Sequence, residues 1–202
     1  MAMASPTRRR ATLSTRWWAA LPERWPVALL DRWPTVLAIG SFVLIADAES
    51  SPTVVAALGE LLVLLPLVYL VSAKLERRSA AWPAAIIGGA YVVGLRTLGL
   101  IQPATVLTGL ALCVLVWALL DGHLTRSGVF QLQVLGMVGF GFLALAGPLI
   151  DTDLGRFVVA AGWLLHGVWD LVHLKLGRVV SRSYAECCGV LDILIAAQLV
   201  FL

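Results

Sequence analysis

Charge is scarce in this 202-residue chain: 15 Lys or Arg and 12 Asp or Glu make up 13% of it. With 60% hydrophobic residues and a mean hydropathy of +0.91, that scarcity excludes a soluble globular domain, where charged residues run near about 25%. No long polar stretch follows Trp33, which leaves no room for a second, soluble domain. Cysteine is nearly absent too. Cys113, Cys187 and Cys188 form no CxxC pair, and the expected places of all three, in a span or at a cytoplasmic helix end, exclude a disulfide framework and suit small packing residues. No lysine falls mid-span in the last helix, since Lys74 and Lys175 lie at helix ends, so a Schiff-base chromophore is excluded. The first 34 residues lack a continuous apolar core, being interrupted by Arg16, Pro22, Glu23, Arg24 and Pro26, and are not a signal peptide.

What is present is a succession of apolar runs. A span needs about 20 predominantly apolar residues. Runs at 35 to 49, 53 to 73, 82 to 99, 103 to 121, 129 to 150, 154 to 175 and 184 to 202 predict an all-α integral membrane bundle of seven transmembrane helices. It occupies residues 35–202. Residues 1–34 form a basic, Trp/Arg-rich segment in which Arg16-Trp17, Arg24-Trp25 and Arg32-Trp33 recur every eight positions, a pattern suited to lying amphipathically in the headgroup layer. Alternate loops carry Lys74, Arg77 and Arg78, then Arg126, then Lys175, Arg178 and Arg182, while Glu49, Asp151 and Asp153 fall at the other ends. The positive-inside rule then predicts a cytoplasmic N-terminus and an external C-terminus. The excess of basic residues reports topology and contact with anionic lipid, so the membrane is the partner and nucleic acid is not. Oligomeric state is left open by glycine-rich faces at Gly88, Gly89 and Gly94 and at Gly136, Gly139, Gly141 and Gly147, which suggest close helix packing.

Against that background one octapeptide stands out, His166-Gly-Val-Trp169-Asp170-Leu-Val-His173. An ionisable side chain at membrane depth costs several kcal/mol unless paired or hydrated, roughly 3 kcal/mol or more on insertion scales, so it marks a functional site by default. His166, Asp170 and His173 stand at i, i+4 and i+7 and share one helix face, with Trp169 beside them. In the last span Tyr184, Cys188 and Asp192 share a face by the same rule. Counting about 1.5 Å per residue brings Asp192 level with His166, and Glu186 level with His173. Glu60, among leucines in the second span, is a further candidate, and Arg96 is expected to snorkel outward or pair with Asp47, Glu49 or Asp151.

These residues suit acid/base chemistry on a lipophilic substrate. A buried carboxyl can stay protonated and act as a general acid. The candidate catalytic residues are therefore His166, Asp170, His173, Asp192 and Glu60. Trp169, Tyr184, Trp163, Trp117 and Tyr91, together with Tyr69, offer aromatic faces to a cationic intermediate, which fits isomerisation or cyclisation of an isoprenoid or other lipid. Three other readings stay open. The stripe could relay protons, as in a transporter, although no internal repeat of spans is present. It could bind zinc or iron in a hydrolase, although a histidine set spread over other helices, as in ceramidase-type enzymes, is not reproduced. It could simply tie two helices together. No cofactor and no bound metal are expected.

The stretch HGVWDLVH followed by YAECCGVLDILIAAQLVF resembles small uncharacterised bacterial multi-pass membrane proteins that carry an HxxWDxxH element. The resemblance is best over residues 163 to 202 and implies a bacterial plasma (inner) membrane location without implying an activity. The overall plan is also loosely similar to integral-membrane terpene cyclases, which have seven spans and use an acidic residue in an early span and another in the last. Carried over, that similarity implies roles for Glu60 and Asp192.

Overall fold

A computed structural model of the chain describes residues 31–46, 51–99, 101–150 and 152–201. Residues 34–202 form one compact unit. Most of the expected interfacial segment, residues 1–30, lies outside the described residues, as do Asp47, Glu49 and Asp151. Among the described residues there are eight α-helices and no strand: α1 (Trp33–Ile45), α2 (Pro52–Lys74), α3 (Ala81–Leu98), α4 (Pro103–Leu120), the single turn α5 (His123–Arg126), α6 (Gly128–Ala146), α7 (Thr152–Leu176) and α8 (Arg182–Phe201).

Local chemistry sets the helix ends. The Ser51 hydroxyl accepts from the Val54 amide at 3.4 Å and Pro52 opens α2, where its missing N–H costs nothing. Ser127 caps α6 in the same way, accepting from the Phe130 amide at 3.2 Å. Gly177, at φ 56°, closes α7 directly after the candidate residues, its amide donating to the His173 carbonyl at 2.7 Å.

Six helices are long and apolar enough to cross a membrane. The first expected span is different, because α1 is only 13 residues, about 20 Å at the helical rise against a hydrocarbon core of about 30 Å. It ends where Gln198 of α8 donates to the Ala46 carbonyl at 3.1 Å.

The bundle is apolar outside as well as inside. Ile86, Leu112, Leu120, Leu135 and Phe142 are more than half exposed, as lipid-facing side chains should be, while its buried polar side chains are Ser72, Lys74, Gln133, His166, Asp170, His173, Asp192 and Gln198. Helix α2 is the central element and packs on α3, α4, α6 and α7, burying Leu62, Val63, Tyr69 and Leu70 almost completely. Helices α7 and α8, joined by five residues, form the most extensive helix pair.

Close packing falls on fewer of the expected glycines than their spacing suggests. Gly88 abuts Leu64, Gly136 abuts Trp169 and Gly147 abuts Val159, but Gly89, Gly94 and Gly139 face open space. The tight approach is elsewhere, between α7 and α8. A Cβ at Gly167 would stand 3.2 Å from Asp192 Cβ, and one at Gly189 would stand 3.2 Å from Asp170 Cβ.

Lys74, Arg126 and Arg178 lie at one end of the bundle. Lys74 is ion-paired with Asp121 and lies 4.4 Å above the Trp117 ring. Beside it, Glu76, Asp121, His123, Arg126 and Ser127 line one polar recess, and Ser72, Glu76, Ser127, Val129 and Arg178 line another of about 230 Å3.

Candidate functional site

The reciprocal glycine contacts let the backbones of α7 and α8 approach closely enough to bring His166, Asp170 and Asp192 into one layer. His166 Nδ1 lies 2.8 Å from Asp192 Oδ2 across the helix pair and 3.4 Å from Asp170 Oδ2 one turn along its own helix. All three side chains are fully buried. The expected level matching of His166 with Asp192 is thus what the structure shows. Asp170 belongs to this same layer and does not form a deeper one with Glu186, which accepts from Thr35 Oγ1 of α1 at 2.7 Å.

Helix α2 closes the layer from a third side. The Tyr69 hydroxyl donates to Asp170 Oδ1, and the Tyr69 ring stands edge-on to His166, His173 and Tyr184, with centroids 5.7, 4.8 and 6.2 Å away. Phe140 of α6 presents its ring to His166 at 4.9 Å and to Trp169 at 5.7 Å. The wall is therefore aromatic on the α2 and α6 sides.

Toward the basic end the polar series continues. His173 Nδ1 lies 2.9 Å from the Trp169 carbonyl, which can only accept, so this nitrogen carries the proton and Nε2 is left to accept. Gln133 supplies the donor, its Nε2 lying 3.3 Å from His173 Nε2 and 3.4 Å from the Val129 carbonyl. Val129 and Ser72 line the 230 Å3 recess at the basic end. No hydrogen bond joins His173 to Tyr69 among the described residues, so a proton passing between them needs a ring rotation or a bridging water.

The layer is not saturated. His166 Nε2, Asp170 Oδ2 and Asp192 Oδ1 are buried without a hydrogen-bond partner, as are Gln133 Oε1 and Ser72 Oγ on the side of the recess. An unpaired buried polar atom costs about 1–3 kcal/mol.

The remaining candidates divide. Trp169 and Tyr184 flank the layer, with Trp82 packed edge-on to Tyr184 at 5.5 Å. Trp163, one turn earlier on α7, is buried and its indole donates to the Leu58 carbonyl at 3.2 Å. Glu60 is ion-paired with Arg96 of α3 at 2.5 Å, which answers what each of them pairs with. It sits nine residues before Tyr69 on α2, about 13 Å along the axis. Tyr91 and Trp117 are half exposed and line an apolar groove of about 550 Å3 between α2, α3 and α4, built on Leu64, Leu67 and Val68. They lie outside the His166 layer.

Three parts of the site escaped the sequence reading. Tyr69 was visible only as an aromatic face, and its hydroxyl proves to be a donor to Asp170. Gln133 is the partner of His173 in a helix that carries no charge. The third is a local repeat: His166-Gly-Val-Trp-Asp170 on α7 and Cys188-Gly-Val-Leu-Asp192 on α8 share the pattern x-Gly-Val-x-Asp. Its two copies face each other antiparallel, each glycine against the other copy's aspartate. The repeat was the signal that could have located the helix crossing.

No family model matches this chain, and neither a curated protein nor a solved structure is significantly similar to it.

Proposed function

We propose that this chain is an integral membrane enzyme whose centre, formed by His166, Asp170, Asp192 and Tyr69, performs acid/base chemistry on a lipophilic substrate. The observation that carries the reading is a pair of fully buried carboxylates in contact with a single imidazole, each keeping one oxygen that makes no hydrogen bond. Two carboxyl groups and an imidazole lie in contact in a fully buried layer. That is the arrangement general acid catalysis requires. An apolar recess of about 360 Å3, lined by Phe157, Leu164, Ile193, Ala196 and Val200, begins one residue from Asp192 and suits a lipid or isoprenoid tail. We take the protein as a seven-span chain of the bacterial plasma membrane with α1 as its shortest span, the basic end cytoplasmic and the C-terminus outside. The loose similarity in plan to terpene cyclases suggests isomerisation or cyclisation as the reaction type, and with Glu60 paired to Arg96 we assign the acid to Asp192.

The test is untargeted lipid analysis of membranes expressing the wild type, His166→Gln or Asp192→Asn at matched protein levels. A lipid or isoprenoid converted by the wild type alone supports the enzyme, and identical profiles overturn it. A second reading, proton relay between the basic face and the mid-bundle centre, is favoured by the series Ser72, Gln133, His173, Tyr69 and Asp170. Proteoliposomes that pass protons under an imposed potential, and lose at least about tenfold of that flux (about 1.4 kcal/mol of barrier) on His173→Gln, would establish it.

A further inference from the structure

The same imidazole nitrogen, His166 Nδ1, faces both carboxylates, 2.8 Å from Asp192 Oδ2 and 3.4 Å from Asp170 Oδ2, while Asp170 Oδ2 and Asp192 Oδ1 make no hydrogen bond. We propose that this layer binds one divalent transition-metal ion of the zinc type, held by His166 Nδ1, Asp170 and Asp192. This departs from the expectation of no bound metal. The third ligand comes from α8, where the folded crossing selects Asp192 over Glu186. The proposal takes the centre of the enzyme reading as its site and does not depend on which reaction occurs there.

The geometry fits. One ligand atom from each of the three residues can be chosen so that all lie within 4.8 Å of one another. Ligand atoms about 2.0–2.1 Å from a tetrahedral ion lie about 3.4 Å apart. The His166 to Asp170 separation is already 3.4 Å, and the His166 to Asp192 separation of 2.8 Å needs to open by about 0.6 Å on that geometry. Charge also fits, since two carboxylates and a neutral imidazole around a dication sum to zero, the state a bundle interior tolerates best. Tyr69 supplies what a ligating carboxylate normally has, an outer hydrogen bond that fixes its orientation. Three protein ligands leave one tetrahedral position open, as in catalytic sites. Nitrogen with oxygen donors favours zinc or a neighbouring first-row ion over magnesium or calcium, which take oxygen alone.

The experiment uses the full chain purified in lipid nanodiscs, stripped with chelator, reloaded with Zn2+ and assayed for bound metal, with Co2+ as a spectroscopic stand-in. About one ion per chain is expected, with a Co2+ absorption spectrum of four-coordinate type. Asp192→Asn and His166→Gln should abolish binding while retaining the wild-type elution profile. Tyr69→Phe should weaken it about 10- to 100-fold. His173→Gln, which leaves all three ligands in place, should bind normally. No ion in the wild type, or an ion retained in both Asp192→Asn and His166→Gln, overturns the proposal. Lipid conversion by a wild type that takes up no ion overturns the metal proposal and leaves the enzyme reading standing. A stoichiometric ion without any conversion does the reverse.

Discussion

Replacing Gly167 tests the helix crossing on which the centre depends. A Cβ there would meet Ile193 Cγ1 at 3.1 Å, Asp192 Cβ at 3.2 Å and the Gly189 carbonyl oxygen at 3.3 Å. The first neighbour is a side-chain branch able to rotate, but the other two are tied to the α8 backbone. Relaxing them to an ordinary contact of about 3.7 Å moves α8 outward by about 0.5 Å. The 2.8 Å bond between His166 and Asp192 then stretches toward 3.3 Å, the limit of useful hydrogen-bond geometry. Overpacking costs about 1–3 kcal/mol and a bond between membrane helices averages about 0.6 kcal/mol, whereas alanine regains about 0.8–1 kcal/mol of helix propensity over glycine. Gly167→Ala should therefore lose about 1–2 kcal/mol net, and Gly167→Val more. Gly89, whose Cβ would meet nothing within 4 Å, is the internal control, and Gly89→Ala should gain up to about 1 kcal/mol. Reversible unfolding by SDS in mixed micelles, followed by tryptophan fluorescence, measures both. If Gly167→Ala proves as stabilising as Gly89→Ala, the backbones of α7 and α8 do not approach as described.

The Tyr69 hydroxyl gives a second check, because Tyr69→Phe strips a donor from Asp170 with little change of shape; a loss of about 1 kcal/mol in the same unfolding assay is expected, and none would show the bond is absent. At the basic end, the hydrogen bond from Lys74 holds the Asp121 carboxyl below its usual 3.8. A depressed folded-state value means the contribution is complete above 3.8 and is lost as pH falls through the lower value, so the unfolding midpoint should drop in that acid range for the wild type and stay flat there for Asp121→Asn. Glu60→Gln breaks a partly exposed ion pair with Arg96, at a cost below about 1 kcal/mol, and should leave lipid conversion intact. Conversion abolished by Glu60→Gln would move that carboxylate into the reacting centre.

Span positions and the polar stripe were legible because both depend on local order: apolar runs bounded by Ser51-Pro52 or Gln102-Pro103, and side chains repeating at helical intervals. Depth counting along two helices joined by a short loop placed Asp192 opposite His166, since antiparallel neighbours fix their own register. What stayed hidden depends on a third element. Nothing in the run around Tyr69 says which way its hydroxyl points, because α2 touches four helices and its rotation is set by all of them at once. Glu60 shows the same limit, for its partner lies on α3, 36 residues away, and spacing cannot choose between Arg96 and a more distant histidine. The end of the first span was not legible, because apolar character alone does not fix where a helix stops; Gln198, from the far end of the chain, meets the Ala46 carbonyl just after α1.

The paired pentapeptides His166-Gly-Val-Trp-Asp170 and Cys188-Gly-Val-Leu-Asp192 make the α7–α8 crossing a pseudo-dyad. Rotation about that axis exchanges the two aspartates and carries His166 onto the place of Cys188. The scaffold is thus degenerate with respect to which strand of the hairpin bears the imidazole, and the chain breaks the tie with one side chain. A doubly exchanged chain, His166→Cys with Cys188→His, would present the same three groups in the same hand with the two helices' roles exchanged, Asp170 now being the residue reached across the crossing. The crossing and the helix that bears the imidazole are in this sense separately encoded, the first by two glycines and two aspartates, the second by the choice between histidine and cysteine.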